Sequence, residues 1–306
     1  MRDFSTDHRW LSINTATVRN QRGQPWPLPQ ILEACAARGI RAVAPWRDQV
    51  AAAGLAATAT QLEALGLELS GYCRGGQFTY TEAASRQATR DDNLHALDEA
   101  CTLKAPCLVL VVGGLPGALA GQPAHRDIAL ARTQVAEGLA WLLDEARARR
   151  MPLAIEPLHP MYAADRACVN TLAQALDLCD ALDPVPTPGP THGRERGPAA
   201  LGVAVDAYHV WWDPQLQAQI ERAGQGAVNR LLAFHVCDWL VPTTDLLEDR
   251  GMMGDGVIDL PRLRGWVEAA GFSGYSEVEI FSRANWWQRE GGEVLDTCVE
   301  RHRRCV

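Results

Sequence analysis

Four apolar segments in the second half of the chain each lead into one acidic residue or histidine. These residues are Glu156 in AIEPLHP, Asp206 in VAVDAYH, His235 in FHVCDW and Glu279 in EVEIF. A carboxylate at the end of an apolar strand is costly to desolvate unless a positive partner lies close to it. Carboxylates gathered around one point also repel one another when no cation lies between them. The four residues therefore predict a site for a divalent metal ion, provided that the fold brings the segment ends together.

Short apolar segments alternate with amphipathic helices along the whole chain. The clearest helices are 31–39 and 128–150, where apolar residues recur at intervals of three and four. Strands are predicted over residues 9–14, 40–46, 67–73, 107–113, 152–158, 201–207, 231–237 and 275–281. Eight strands alternating with helices are typical of an α/β protein with the (β/α)8 TIM-barrel fold, here one domain over residues 1–306. A doubly wound sheet is the alternative, but no GxGxxG follows the first strand.

A TIM barrel gives a meaning to the ends of the strands, because these enzymes have their active sites at the C-terminal rim. The four candidate residues end four successive predicted strands, so they would lie on that rim. Asn14 and Trp46 end the first two strands and are expected to line the same pocket. On the last strand Glu277 and Glu279 share one face, and Glu279 is the preferred ligand because it is nearer the rim. The mainly oxygen-containing ligand set favours Mn²⁺ or Mg²⁺, and Co²⁺ would also be accepted.

The motifs IEPLHP, VAVDAYH, FHVCDW followed by MGDGVIDL, and EVEIFS resemble those of a known family. It is the xylose-isomerase-like family of sugar isomerases and epimerases, enzymes of carbohydrate metabolism that include D-tagatose 3-epimerase and the inosose dehydratases. The resemblance implies that one divalent ion, with Mn²⁺ as the first expectation, is held by Glu156, Asp206, His235 and Glu279.

The same resemblance implies how a substrate is held. His209, the histidine of the DxxH motif, is expected to contact substrate oxygens, and Arg250 is a loose counterpart of an arginine that follows strand 7. His159, close to Glu156 in the sequence, is a further candidate for substrate binding.

The predicted geometry indicates a proton-transfer reaction. In a hydroxyketone chelated to the metal the polarised carbonyl acidifies the adjacent C–H, and the same ion stabilises the resulting cis-enediolate. Glu156 and Glu279 lie three strands apart in the predicted ring, so they could act on opposite faces of this intermediate. Two such bases suit an epimerase, whereas one base that moves a proton between adjacent carbons suits an aldose–ketose isomerase. Loss of a β-hydroxyl would instead give an inosose-type dehydratase, and the sequence leaves all three reactions open.

A nuclease is a distant alternative, because apurinic-site endonucleases share this barrel and part of the ligand set. Their three-zinc cluster requires extra histidines, but strands 3 and 4 lead here into YCRGG and VVGGLPG. The formal net charge of −8 also gives no electrostatic reason to approach nucleic acid. We therefore expect no nucleic-acid partner.

The expected substrate is a small unphosphorylated keto-sugar or inosose. The glycine-rich segment 113–117 could offer backbone N–H groups to a phosphate, but no basic residue lies beside it in the sequence. A homodimer or homotetramer is the expected assembly. The proline-rich segment 183–200 is predicted to be an exposed loop.

A cytoplasmic location is expected from the absence of targeting signals. The start of the chain lacks the apolar region of a secretory signal, and no apolar segment reaches the roughly 18 residues of a membrane span. The nine cysteines are scattered without a CxxC pair, which favours neither a disulfide framework nor a structural zinc site. No membrane partner is expected.

Overall fold

The computed structural model describes residues 2–19, 24, 26–184 and 198–306. Residues 185–197 of the predicted loop 183–200 lie outside this part of the chain. The strands are β1 (Leu11–Asn14), β2 (Ala42–Ala44), β3 (Glu68–Leu69), β4 (Tyr72–Gly76), β5 (Leu108–Val111), β6 (Leu153–Ile155), β7 (Pro198–Asp206), β8 (Asn229–Val236), β9 (Asp238–Trp239), β10 (Arg250–Gly251) and β11 (Ser276–Val278). The α-helices are α1 (Leu28–Ala36), α2 (Arg47–Ala53), α3 (Leu55–Leu65), α4 (Ala83–Thr102), α5 (Ile128–Arg149), α6 (Leu172–Leu182), α7 (Ala207–Val210), α8 (Leu216–Ala223), α9 (Leu260–Ala269) and α10 (Gly291–Cys305).

Nine strands form one parallel sheet in the order β3-β2-β1-β11-β8-β7-β6-β5-β4. The two ends of this order, β3 and β4, are consecutive parts of the predicted third strand, and a parallel bridge joins Trp46, which follows β2, to Cys73 on β4. The sheet is therefore a nearly closed barrel with helices around it. The prediction of a single-domain (β/α)8 barrel is confirmed. The short strands β9 and β10 form a separate antiparallel pair.

The strands are buried along their length because helices cover the barrel from outside. All four residues of β5 are buried, and so is every residue of β1, β2, β6 and β11. Helix α5 begins where the Asp127 side chain accepts hydrogen bonds from the backbone N–H groups of Ala129 and Leu130. It buries an apolar stripe that includes Val135, Leu139 and Leu142. None of the described helices combines the length and the apolarity needed to cross a membrane.

Candidate metal centre

The four candidate ligands come from adjacent strands of the barrel. Asp206 is the last residue of β7, and its register partner is His235 on β8. Glu156 directly follows β6 and Glu279 directly follows β11, on either side of that pair. Each residue offers one ligand atom, and these atoms all lie within 4.8 Å of one another. The parallel barrel thus brings together four side chains that are far apart in the sequence.

His235 directs one ring nitrogen toward the carboxylates and the other away from them. Its Nδ1 atom lies 2.9 Å from Glu156 Oε1 and 3.8 Å from Glu279 Oε2. Its Nε2 atom lies 3.7 Å from Glu277 Oε1. Nδ1 is therefore the nitrogen available to an ion in the cluster, and Glu277 faces the opposite edge of the ring.

Arg250 partly neutralises the buried carboxylates. Its Nη1 atom donates to Asp206 Oδ2 at 3.1 Å and to Glu279 Oε2 at 3.0 Å. Its guanidinium also lies over the ring of Tyr208, 4.5 Å from the centroid. The cluster holds three carboxylates and Arg250 supplies one positive charge, so a formal charge of −2 remains when the histidine is neutral. A divalent ion would balance this charge.

The spacing of the ligand atoms also fits a metal ion. Two ligands on opposite sides of an ion, each about 2.0–2.3 Å from it, are about 4.0–4.6 Å apart. The observed limit of 4.8 Å between ligand atoms is close to that separation. Glu156, Asp206, His235 and Glu279 would hold the ion, through three carboxylate oxygens and one imidazole nitrogen.

Burial and mutual repulsion change the proton affinities in this cluster. Burial raises the pKa of Glu279 to about 8, with Arg250 opposing the rise and Glu156 adding to it. Burial acts against the charged form of His235, but Glu277 and Glu156 hold the pKa of this histidine well above its usual range. Asp206 is also buried, yet Arg250 and the neighbouring histidines keep its pKa below the ordinary value. Bound protons would therefore replace part of the missing positive charge when no ion is present.

His209 is a neutral, fixed side chain beside this cluster. Its Nδ1 atom accepts a hydrogen bond from the backbone N–H of His159 at 3.2 Å. Its Nε2 atom lies 3.2 Å from Arg250 Nη2 and 3.7 Å from Asp206 Oδ2. Burial lowers the pKa of His209 to about 3, so its ring is uncharged at neutral pH.

A cavity of about 330 Å³ opens above the cluster. Its wall includes Glu156, Glu279, His209 and Arg250, together with Trp46, which was expected to line the pocket. Asp206 and His235 have no exposed surface and lie beneath this wall. The predicted residues in this wall therefore present two carboxylates, one imidazole and one guanidinium to a bound molecule.

Two other expected pocket residues have different positions. Asn14 is completely buried, where its Nδ2 atom donates to Glu277 Oε1 at 2.8 Å and to Glu279 Oε1 at 3.0 Å. The ring of His159 stacks on Trp239 at 5.0 Å. Neither Asn14 nor His159 is among the described residues that line the cavity. Asn14 orients Glu279, and the His159 backbone orients His209, so both act on the pocket through another side chain.

Sequence reasoning missed three arginines in the cavity wall, Arg19, Arg74 and Arg166. Arg74 lies on β4, directly after the predicted third strand, so its position at a strand end was a usable signal. Arg166 follows the short 3-10 helix Pro160–Tyr162, and no strand end marks it in the sequence.

Comparison with known proteins identifies the family. Residues 32–298 match the model of the xylose isomerase-like TIM barrel family, and the chain belongs to this family. A crystal structure of protein SMc04130 from Sinorhizobium meliloti 1021 is 54% identical, with a TM-score of 0.86 over 97% of this chain and 98% of that chain. A search of curated proteins finds no significant match.

Two more distant crystal structures share the fold. The IolI protein with a bound zinc atom is 18% identical, with a TM-score of 0.74 over 95% of each chain. The 3-keto-D-glucoside 4-epimerase YcjR from E. coli is 16% identical, with a TM-score of 0.70 over 97% of this chain and 99% of that chain. At these identities the likeness concerns the fold alone.

Proposed function

We propose that the protein is a divalent-metal-dependent isomerase or epimerase that acts on a keto-sugar or a related polyol. One observation carries the proposal: Glu156 and Glu279 both reach the cavity, from strands that are three positions apart in the barrel. The two carboxylates can therefore approach a flat intermediate from different sides. The activity of YcjR, an epimerase of a keto-glucoside on the same fold, supports this substrate class.

The side chains divide the work between proton transfer and binding. A carboxylate oxygen of Glu156 or Glu279 removes the proton from the carbon next to the substrate carbonyl, and the other glutamate returns a proton to the opposite face. His209 and Arg250 bind substrate oxygens, and Trp46 contributes an aromatic part of the cavity wall. Asn14 holds Glu279 in its orientation through the 3.0 Å hydrogen bond.

The proposed cofactor is one divalent ion, with Mn²⁺ preferred and Mg²⁺ or Co²⁺ as alternatives. When bound, such an ion polarises the substrate carbonyl and so makes the adjacent C–H more acidic. The zinc atom bound in the IolI crystal structure supports a metal in this fold. Three carboxylate ligands and one imidazole favour an ion that prefers oxygen.

Two alternative activities differ in what they require of the site. A dehydratase would use the same first proton removal and then release a β-hydroxyl, so it is distinguished by its product. A three-zinc nuclease would need further ligands, and within the described ranges one cluster of potential ligands is found, with four members. A cytoplasmic location and a homodimeric or homotetrameric assembly remain predictions.

Product analysis with and without metal tests the proposal. The purified protein is depleted with a chelator, reconstituted with Mn²⁺, Mg²⁺ or Co²⁺, and incubated with ketoses and inososes in D₂O. We expect NMR spectra to show deuterium next to the carbonyl together with a new epimer or isomer, only after metal is restored. Glu156→Gln and Glu279→Gln should abolish the new sugar, whereas the exposed control Glu63→Gln should not. An enone product would identify a dehydratase, and unchanged activity after metal removal would overturn the proposal.

A further inference from the structure

Within the described part of the chain four arginines line the cavity, and two of them lack an acidic partner there. Arg250 binds Asp206 and Glu279, and Arg19 pairs with Asp48. The other two, Arg74 and Arg166, form no ion pair within the described part of the chain, although the cavity wall also contains Glu248. That carboxylate pairs instead with Arg283.

The surroundings of Arg166 make the missing partner significant. Its Nε atom is buried and has no hydrogen-bond partner among the described residues, and its guanidinium lies 5.7 Å from the centroid of the Tyr162 ring. A buried donor that lacks an acceptor carries a desolvation cost unless a ligand satisfies it. Both Arg74 and Arg166 are half-buried, and they share the cavity wall with Glu156 and Glu279 of the candidate metal site.

The backbone holds both arginines in fixed positions. Arg74 is part of strand β4, in the barrel wall. The segment before Arg166 is fixed to the end of β5, because Leu115 N donates to Ala164 O at 2.6 Å and Cys168 N donates to Gly113 O at 2.9 Å. A Cβ atom at Gly114 would lie 2.4 Å from Ala164 O, so only glycine permits this close approach. The glycine-rich segment 113–117 therefore positions Arg166, and the backbone N–H of Leu115 is already used.

We infer that the substrate carries an oxyanion group, a carboxylate or a phosphate, which Arg74 and Arg166 bind. Each guanidinium can donate two parallel hydrogen bonds to such a group, in a geometry that a neutral hydroxymethyl group cannot match. The hydroxyketone end of the same molecule would then reach Glu156 and Glu279. This inference rests on the proposed function, and it changes the expected substrate from a neutral sugar to an acidic or phosphorylated one.

Three probes that differ at one carbon test the inference: D-fructose, D-fructose 6-phosphate and D-fructuronate. Their apparent dissociation constants are measured by calorimetry on Mn²⁺-loaded protein, for the wild type, Arg74→Gln and Arg166→Gln. Arg41→Gln is the matched control, because Arg41 precedes β2 and lies at the opposite end of the barrel. It removes one positive charge without changing the cavity.

We expect the wild type to bind at least one charged probe tenfold or more tightly than D-fructose, and the preferred probe distinguishes phosphate from carboxylate. Each pocket variant should weaken that binding by about tenfold, the effect of losing a hydrogen bond to a charged group. Binding of D-fructose should change by less than twofold. The inference is overturned if no charged probe binds more tightly than D-fructose, or if the variants weaken D-fructose binding to the same degree.

Proton exchange on the same three probes separates this inference from the proposed function. An arginine-dependent preference without deuterium uptake from D₂O would overturn the isomerase proposal and leave the oxyanion site intact. Deuterium uptake by D-fructose, without tighter binding of either charged probe, would support the isomerase proposal and overturn the oxyanion site.

Discussion

Replacement of Arg250 by methionine should strongly destabilise the protein in the absence of metal. The guanidinium is buried and donates at 3.1 Å and 3.0 Å to carboxylates of Asp206 and Glu279. Removing one member of a buried ion pair leaves the other without compensation, at a typical cost of about 3–5 kcal/mol. We expect a loss of that size in the free energy of unfolding for Arg250→Met in the presence of a chelator.

Added metal should reduce this loss. Carboxylates that are freed from Arg250 attract a divalent ion more strongly, so the variant should bind Mn²⁺ at least ~10-fold more tightly than the wild type, equivalent to ~1.4 kcal/mol. Urea unfolding followed by tryptophan fluorescence, with chelator or with saturating Mn²⁺, measures both effects. Arg283→Met, which removes the ion pair between the exposed Arg283 and Glu248, should lower the free energy of unfolding much less than Arg250→Met. A loss below ~1 kcal/mol for Arg250→Met, or the same loss with and without Mn²⁺, would refute the role of Arg250 in charge balance.

Two further predictions concern Glu277 and His302. Glu277→Gln should weaken metal binding by about 10–100-fold in competition with a chelating dye, because it removes a negative charge that lies 3.7 Å from Nε2 of the candidate ligand His235. An affinity equal to that of Glu63→Gln would contradict this role. Neither ring nitrogen of His302 has a hydrogen-bond partner among the residues that the structure describes, and burial lowers the pKa of His302 from 6.5 to about 3. Below pH 6.5 the unfolded chain takes up a proton that the folded protein cannot, so stability falls as the pH falls. Between pH 7 and pH 5 the buried His302 should lower the free energy of unfolding by about 2 kcal/mol. Urea unfolding in the presence of a chelator should show this loss in the wild type but not in His302→Phe. An equal loss in both proteins would contradict this prediction.

The fold was predictable because the apolar pattern reports burial. All eight predicted strands overlap strands of the barrel, but most of them are shorter in the structure. Ile40, for example, is buried yet precedes β2, which pairs only over Ala42–Ala44. Burial can be predicted from residue type. The limits of a strand depend on which residues of the adjacent strand it pairs with, and the sequence alone does not give this pairing.

The candidate site was partly predictable for a related reason. Parallel strands all point their C-terminal ends to one rim, so residues at four strand ends could be expected to meet. The position of Asn14 behind Glu279 depends on side-chain directions that a strand end does not define. Arg74 and Arg166 are distant in the sequence, and only the fold places them in the same cavity. The sequence therefore indicated the cluster of candidate metal ligands better than the arginine-lined part of the cavity.

The exchange specificity of the two glutamate variants tests the central claim most directly. Each purified epimer of the substrate is incubated in D₂O with Mn²⁺-loaded Glu156→Gln or Glu279→Gln, and deuterium uptake is followed by NMR. The two-base arrangement predicts that neither variant inverts the centre, that one variant exchanges the proton of only one epimer, and that the other exchanges only the opposite epimer. Full epimerisation by either variant would contradict the claim that Glu156 and Glu279 transfer protons on opposite faces.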